Sequence, residues 1–92
     1  MKDISSDCYV EHVHKTGRFV FLLIRAPKTS QIGDEISLKK VPGIPTIRRI
    51  HLAVQTPIES ERESISWNPN ECTITLGAPS QGQRTILVVG AV

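Results

Sequence analysis

The sequence predicts a small all-β domain, an antiparallel β-sandwich or partly open barrel of about seven strands. Three observations carry this. Apolar residues alternate with period two along most of the chain. No window of eleven or more residues keeps the i, i+3, i+4, i+7 spacing of an amphipathic helix. Six prolines and six glycines cut 92 residues into short runs, at the spacing of sandwich turns. No linker, internal repeat or low-complexity tract divides the chain, so residues 1–92 read as one domain.

The first strand is expected at Cys8 to His14, with Tyr9, Glu11 and Val13 on one side and Cys8, Val10, His12 and His14 on the other. Lys15-Thr16-Gly17 reads as a tight turn, because glycine accepts a positive φ. Arg18 to Arg25, RFVFLLIR, is apolar on both faces, which suits a central strand. In that setting Phe19 and Phe21 are expected in the core. Ala26 to Asp34 is a loop, since Pro27 cannot donate to a central ladder and Gly33-Asp34 favours a turn.

Glu35 to Lys39 forms a short strand with Ile36 and Leu38 on one face. Val41 to Pro45, VPGIP, breaks it. Thr46 to Val54 is a long strand, with Ile50, Leu52 and Val54 expected inward and Arg49, His51 and Ala53 outward. Ile58 to Ser64, IESERES, has no apolar stripe and reads as an exposed loop. Ile65 to Trp67 and Glu71 to Leu76 form a second hairpin about Asn68-Pro69-Asn70, with Cys72, Ile74 and Leu76 inward. Thr85 to Val89 is the last strand. The expected core is RFVFLLI, Ile50, Leu52, Val54, Ile65, Trp67, Ile74, Leu76 and Ile86 to Val88.

Charge and composition exclude several function classes. Eleven basic residues against nine acidic ones leave +2, and the sequence pI is about 8.7. That falls short of a dedicated nucleic-acid binder, for which pI above about 9 with clustering is the usual mark. Mean hydropathy is −0.09, and the longest apolar run, Phe19 to Ile24, is far below the roughly 20 residues of a spanning helix. No membrane span is expected. MKDISSDCYV has no apolar stretch of signal-peptide length, which predicts no secretion signal. The cellular compartment is not legible. Cys8 and Cys72 fit either one long-range bridge or two buried thiols.

Few constellations carry chemistry. His12-Val13-His14 places two imidazoles on one side of a strand, about 7 Å apart, as a metal pair requires. A third ligand, His51 or a carboxylate, is needed, and nothing in the sequence places one nearby. No GxSxG, GxGxxG or GxxxxGK[ST] motif occurs. The chain is therefore expected to be non-enzymatic, with no cofactor or metal. Its candidate interaction patch is Lys39, Lys40, Arg48, Arg49 and His51.

The order GRFVFLLIRAP, DEISL, TIRRIHLAV, ISW, CTITLGAP and TILVV resembles the C-terminal β-sandwich domain of α-L-fucosidases, from Gly17 to Val89. That family reads roughly xVYAxxLxWP, a strand ending in Leu, xIxxVxLLG, LxW, LxIxLP and a final apolar strand. Arg25-Ala26 stand in place of its aromatic before Pro27, and Ala53-Val54 in place of its Leu-Gly pair. The resemblance implies a non-catalytic module that packs against a partner or helps shape a carbohydrate site. The expected function is association with a protein partner, with a second copy or with a glycan. The alternative is a small basic barrel that binds nucleic acid through Lys39, Lys40, Arg48 and Arg49.

Overall fold

The computed structural model describes residues 2–44, 46–56, 65–77 and 81–92. Among these, seven strands form two antiparallel sheets that do not close into a barrel. The strands are β1 (Tyr9–Thr16), β2 (Phe19–Ala26), β3 (Glu35–Ser37), β4 (Arg49–Thr56), β5 (Ser66–Asn68), β6 (Thr73–Thr75) and β7 (Arg84–Ala91). The four-stranded sheet has the order β1-β2-β7-β4, and the three-stranded sheet β3-β6-β5. The IESERES segment, Ile58 to Ser64, lies outside the described residues.

The expected first hairpin forms, one residue further along. Gly17 makes its turn at φ +59°, and β2 pairs along its length with both β1 and β7. A single 3-10 turn, Ser5–Asp7, precedes β1. The segment before it lies along β3, where Ile4 N–H donates to Glu35 O and Glu35 N–H to Lys2 O, each at 2.9 Å. Ile4 and Ser5 are buried there, a role nothing in their sequence context announces.

The core lies between the sheets. Val20, Leu22 and Ile24 of β2, Ile86 and Val88 of β7, and Ile50 and Ala53 of β4 meet Ile36, Leu38, Cys72, Ile74 and Leu76 from the smaller sheet. Trp67 and Ile65 pack against this cluster half-buried. Gly90 of β7 shows how tight the packing is. A Cβ there would lie 2.9 Å from Arg49 O and 3.0 Å from Ile47 Cγ2. Because one neighbour is backbone, Gly90→Ala should displace the start of β4 and cost about 1–3 kcal/mol by overpacking. A urea midpoint unchanged by that substitution would contradict the contact.

Two β-bulges overturn the simple alternation. In β4 the register shifts between Ile50 and Leu52. The extra residue, His51, rotates everything after it by one face. Ala53 and Gln55 are therefore buried, while Leu52 is 45% exposed. This corrects the inward placement of Leu52 and Val54 and the outward placement of Ala53. In β1 a shift between Val10 and His12 puts Tyr9 on the same side as His12 and His14. Phe19, Phe21 and Leu87, expected in the core, also face outward. They sit on strands whose other face is the buried one, and no second layer covers them among the described residues.

Candidate functional site: the outer face of the four-stranded sheet

The two sheets treat their outer faces differently. Outside the smaller sheet the residues are Glu35 and Ser37, Thr73 and Thr75, Ser66 and Asn68. That is the usual pattern of apolar inside and polar outside. The larger sheet is apolar on both faces. Its register lays the outer residues in rows across β1, β2, β7 and β4. One row is His14, Phe21, Val89 and Leu52; the next is His12, Leu23, Leu87 and Val54. Towards one end follow Thr16, Phe19, Ala91 and Arg49, and towards the other Tyr9, Arg25, Thr85 and Thr56.

Aromatic contacts tie this face together. The His14 and Phe21 rings are 6.3 Å apart, and the Phe19 and His51 rings meet edge-on at 5.6 Å. All three histidines of the chain thus stand on or beside one surface. Phe19 remains 48% exposed and Phe21 39%. At the Tyr9 end, Arg25 Nε donates to Glu11 Oε2 at 3.0 Å.

The five residues of the expected patch are not one unit. Arg49 and His51 belong to the outer face. Arg48 is exposed just before β4, where its backbone N–H donates to Ala91 O at 2.9 Å. Lys39 lines a shallow cleft of about 270 Å³ with Leu38, Ile44, Thr46 and Ile47. Lys40 pairs with Asp3, Nζ to Oδ2 at 3.0 Å. Asp3 also accepts from the Ser5 hydroxyl and, at 2.9 Å, from Ser5 N–H. Those two bonds first, then Lys40, hold its carboxyl at about 2, below the usual 3.8.

A carboxylate held low in the folded state stabilises the fold above its ordinary pKa, and that stability is lost as the pH falls towards the folded value. Asp3 should therefore contribute an acid-sensitive term between about pH 4 and pH 2. It is solvent-screened and so worth less than about 1 kcal/mol. Asp3→Asn should flatten the pH dependence of the urea midpoint in that window. An identical dependence in wild type and variant would remove Asp3 from the account.

His12 and His14 do share a face, as their spacing requires. Among the described residues, however, no group of three or more His, Cys, Asp or Glu side chains comes together to hold a metal ion. Cys8 and Cys72 are both free and buried. Burial, with Asp7 and Asp3 adding to it, pushes the Cys8 thiol up to about 12. Burial also raises Cys72, against a small opposing effect of Lys39. Neither is poised as a nucleophile, because the thiolate is the reactive form. Among the described residues, no helix is long and apolar enough to cross a membrane.

The missed feature is the apolar outer face itself. Its one sequence signal was the unbroken apolarity of RFVFLLIR and TILVV, which does not distinguish two covered faces from one covered and one bare. No protein-family model matches the chain, and no similar curated protein or solved structure was found.

Proposed function

We propose that the protein is a non-catalytic β-sandwich module that works by association, and that its contact surface is the outer face of the four-stranded sheet. The observation that carries this reading is the asymmetry of the two sheets. Small soluble domains rarely leave a contiguous apolar patch bare unless something binds it. Here Phe19, Phe21, Leu52 and Leu87 are each about two-fifths to one-half exposed on one face. The strand-pattern resemblance to the C-terminal sandwich of α-L-fucosidases implies the same class of role. A photo-cross-linking residue at Leu87, in the chain expressed in its native cell, should give a discrete adduct, and one at Ser66 on the polar face should not. Absence of any adduct from position 87 would overturn the reading.

A second reading has one specific observation behind it. Exposed Phe19 and Phe21 on adjacent rows supply ring faces on which unpaired bases stack. Arg18, Arg48 and Arg49 lie in the turn from β1 to β2, just before β4 and at its start. Fluorescence anisotropy with a labelled single-stranded oligonucleotide in low salt tests this. Binding that weakens with salt and with Phe21→Ala supports nucleic acid; no binding removes it.

A further inference from the structure

We infer that the occupant of this face is a second copy of the chain, packed sheet against sheet. The inference rests on the contact surface proposed above and names what fills it.

Self-packing demands a surface that does not repel itself. The two central rows contain Phe21, Leu23, Leu52, Leu87 and their valine neighbours, with no carboxylate, ammonium or guanidinium among them. Formal charges stand only at the ends, as Arg49 on one side and the Glu11–Arg25 pair on the other. A twofold axis through the centre can therefore bring like rows together without burying an uncompensated charge, the costly event in any interface.

The dimensions are sufficient. Four strands about 4.8 Å apart and eight residues at about 3.3 Å each make a face of roughly 19 by 26 Å. Two such faces bury on the order of 1,000 Å², the threshold for a specific interface. Stacked sheets pack about 10 Å apart with side chains interdigitating, and the Phe, Leu and Val side chains here are of the kind that fills such a layer.

The edges argue against the alternative of strand addition. β1 and β4 are the edge strands of the larger sheet, and each carries a bulge, at Val10 to His12 and at Ile50 to Leu52. Bulges twist an edge out of register with an incoming strand. The β5–β6 turn also occupies the start of β4, where Ile50 N–H donates to Pro69 O at 3.0 Å. The face is open and the edges are blunted.

Sedimentation equilibrium of the purified chain tests this. At pH 7.5 the expected species has twice the 10.2 kDa chain mass. Leu87→Lys should raise the dissociation constant at least about 30-fold, the scale of a central interface residue. Circular dichroism establishes that each variant folds; if Leu87→Lys does not, Leu52→Lys on the neighbouring strand takes its place. A wild-type chain that stays monomeric, or a dimer indifferent to both lysine variants, would overturn the inference. A monomer that still cross-links from position 87, to a protein of different mass, would overturn self-packing alone and leave the association reading standing. A monomer without any adduct would sink both.

Discussion

Arg84→Met is expected to destabilise the domain by about 2–4 kcal/mol, the scale of losing hydrogen bonds from a charged donor and stranding a buried carbonyl. Against the 5–15 kcal/mol that holds a typical domain, this leaves a marginal fold. Arg84 opens β7 and is 1% exposed. Its Nη1 donates to Ser30 O and Ser30 Oγ, both at 2.9 Å, and to Gly82 O at 3.0 Å. Its Nη2 donates to Gly77 O at 3.0 Å. The planar fork thus ties the loop after β2 to both ends of the loop before β7. Methionine restores the volume and none of the donors: Ser30 O keeps the Gly82 N–H and Gly82 O keeps the Ser30 hydroxyl, but Gly77 O loses its guanidinium donor and the tie between the loops is gone. Each buried acceptor left unsatisfied costs about 1–3 kcal/mol. Arg84→Lys should recover part of the loss, since an ammonium keeps the charge and cannot span both loops. Urea unfolding of the three chains measures the series. A loss below about 1 kcal/mol for Arg84→Met would mean that the loops do not depend on the guanidinium.

The second large effect is a contrast between adjacent residues of β2. Leu22→Ala should cost about 2–5 kcal/mol, because Leu22 is fully buried between the sheets and its removal leaves a cavity. Phe21→Ala, one position earlier, should cost less than about 1 kcal/mol, despite deleting the larger side chain. Phe21 gives up only cross-strand contacts with His14 and Val89 on a face that is already wet. Chemical denaturation of both variants, at a concentration low enough to keep the chain monomeric, settles it. Equal losses would mean that both faces of β2 are covered, and the asymmetry on which the functional reading stands would disappear.

The sequence made the strands legible and left their coverings illegible. Period-two alternation located β1, β2, β3, β6 and β7 to within a residue or two, and it placed Ile36, Ile74, Cys72 and Leu76 inward correctly. It also recognised β2 as central, because only a strand flanked on both sides tolerates RFVFLLIR. It failed at His51. A bulge needs no special residue, so nothing in TIRRIHLAV announces that the face of Leu52 and Ala53 will exchange. It failed again at Phe19, Phe21 and Leu87, where apolarity was equated with burial although an interface is equally apolar. The burial of Arg84 left no sequence signal at all. In QGQRTILVV it reads as an ordinary surface arginine, and only the approach of residues 30, 77 and 82 in space makes it a buried tie. Of the expected patch, Arg49 and His51 reach the candidate surface. Lys39 and Lys40 sit in the turn after β3, with Lys40 engaged by Asp3.

The central claim is that the bare face of the larger sheet is where this protein meets its partner, and that the partner is its own copy. Nuclear magnetic resonance spectra recorded over a dilution series at pH 7.5 test it most directly. Shifts that move with concentration should cluster at Phe19, Phe21, Leu23, Leu52, Leu87 and Val89, while Glu35, Ser66, Thr73 and Thr75 stay fixed. Movement confined to the polar face of the smaller sheet, or no movement anywhere up to millimolar concentration, would contradict it.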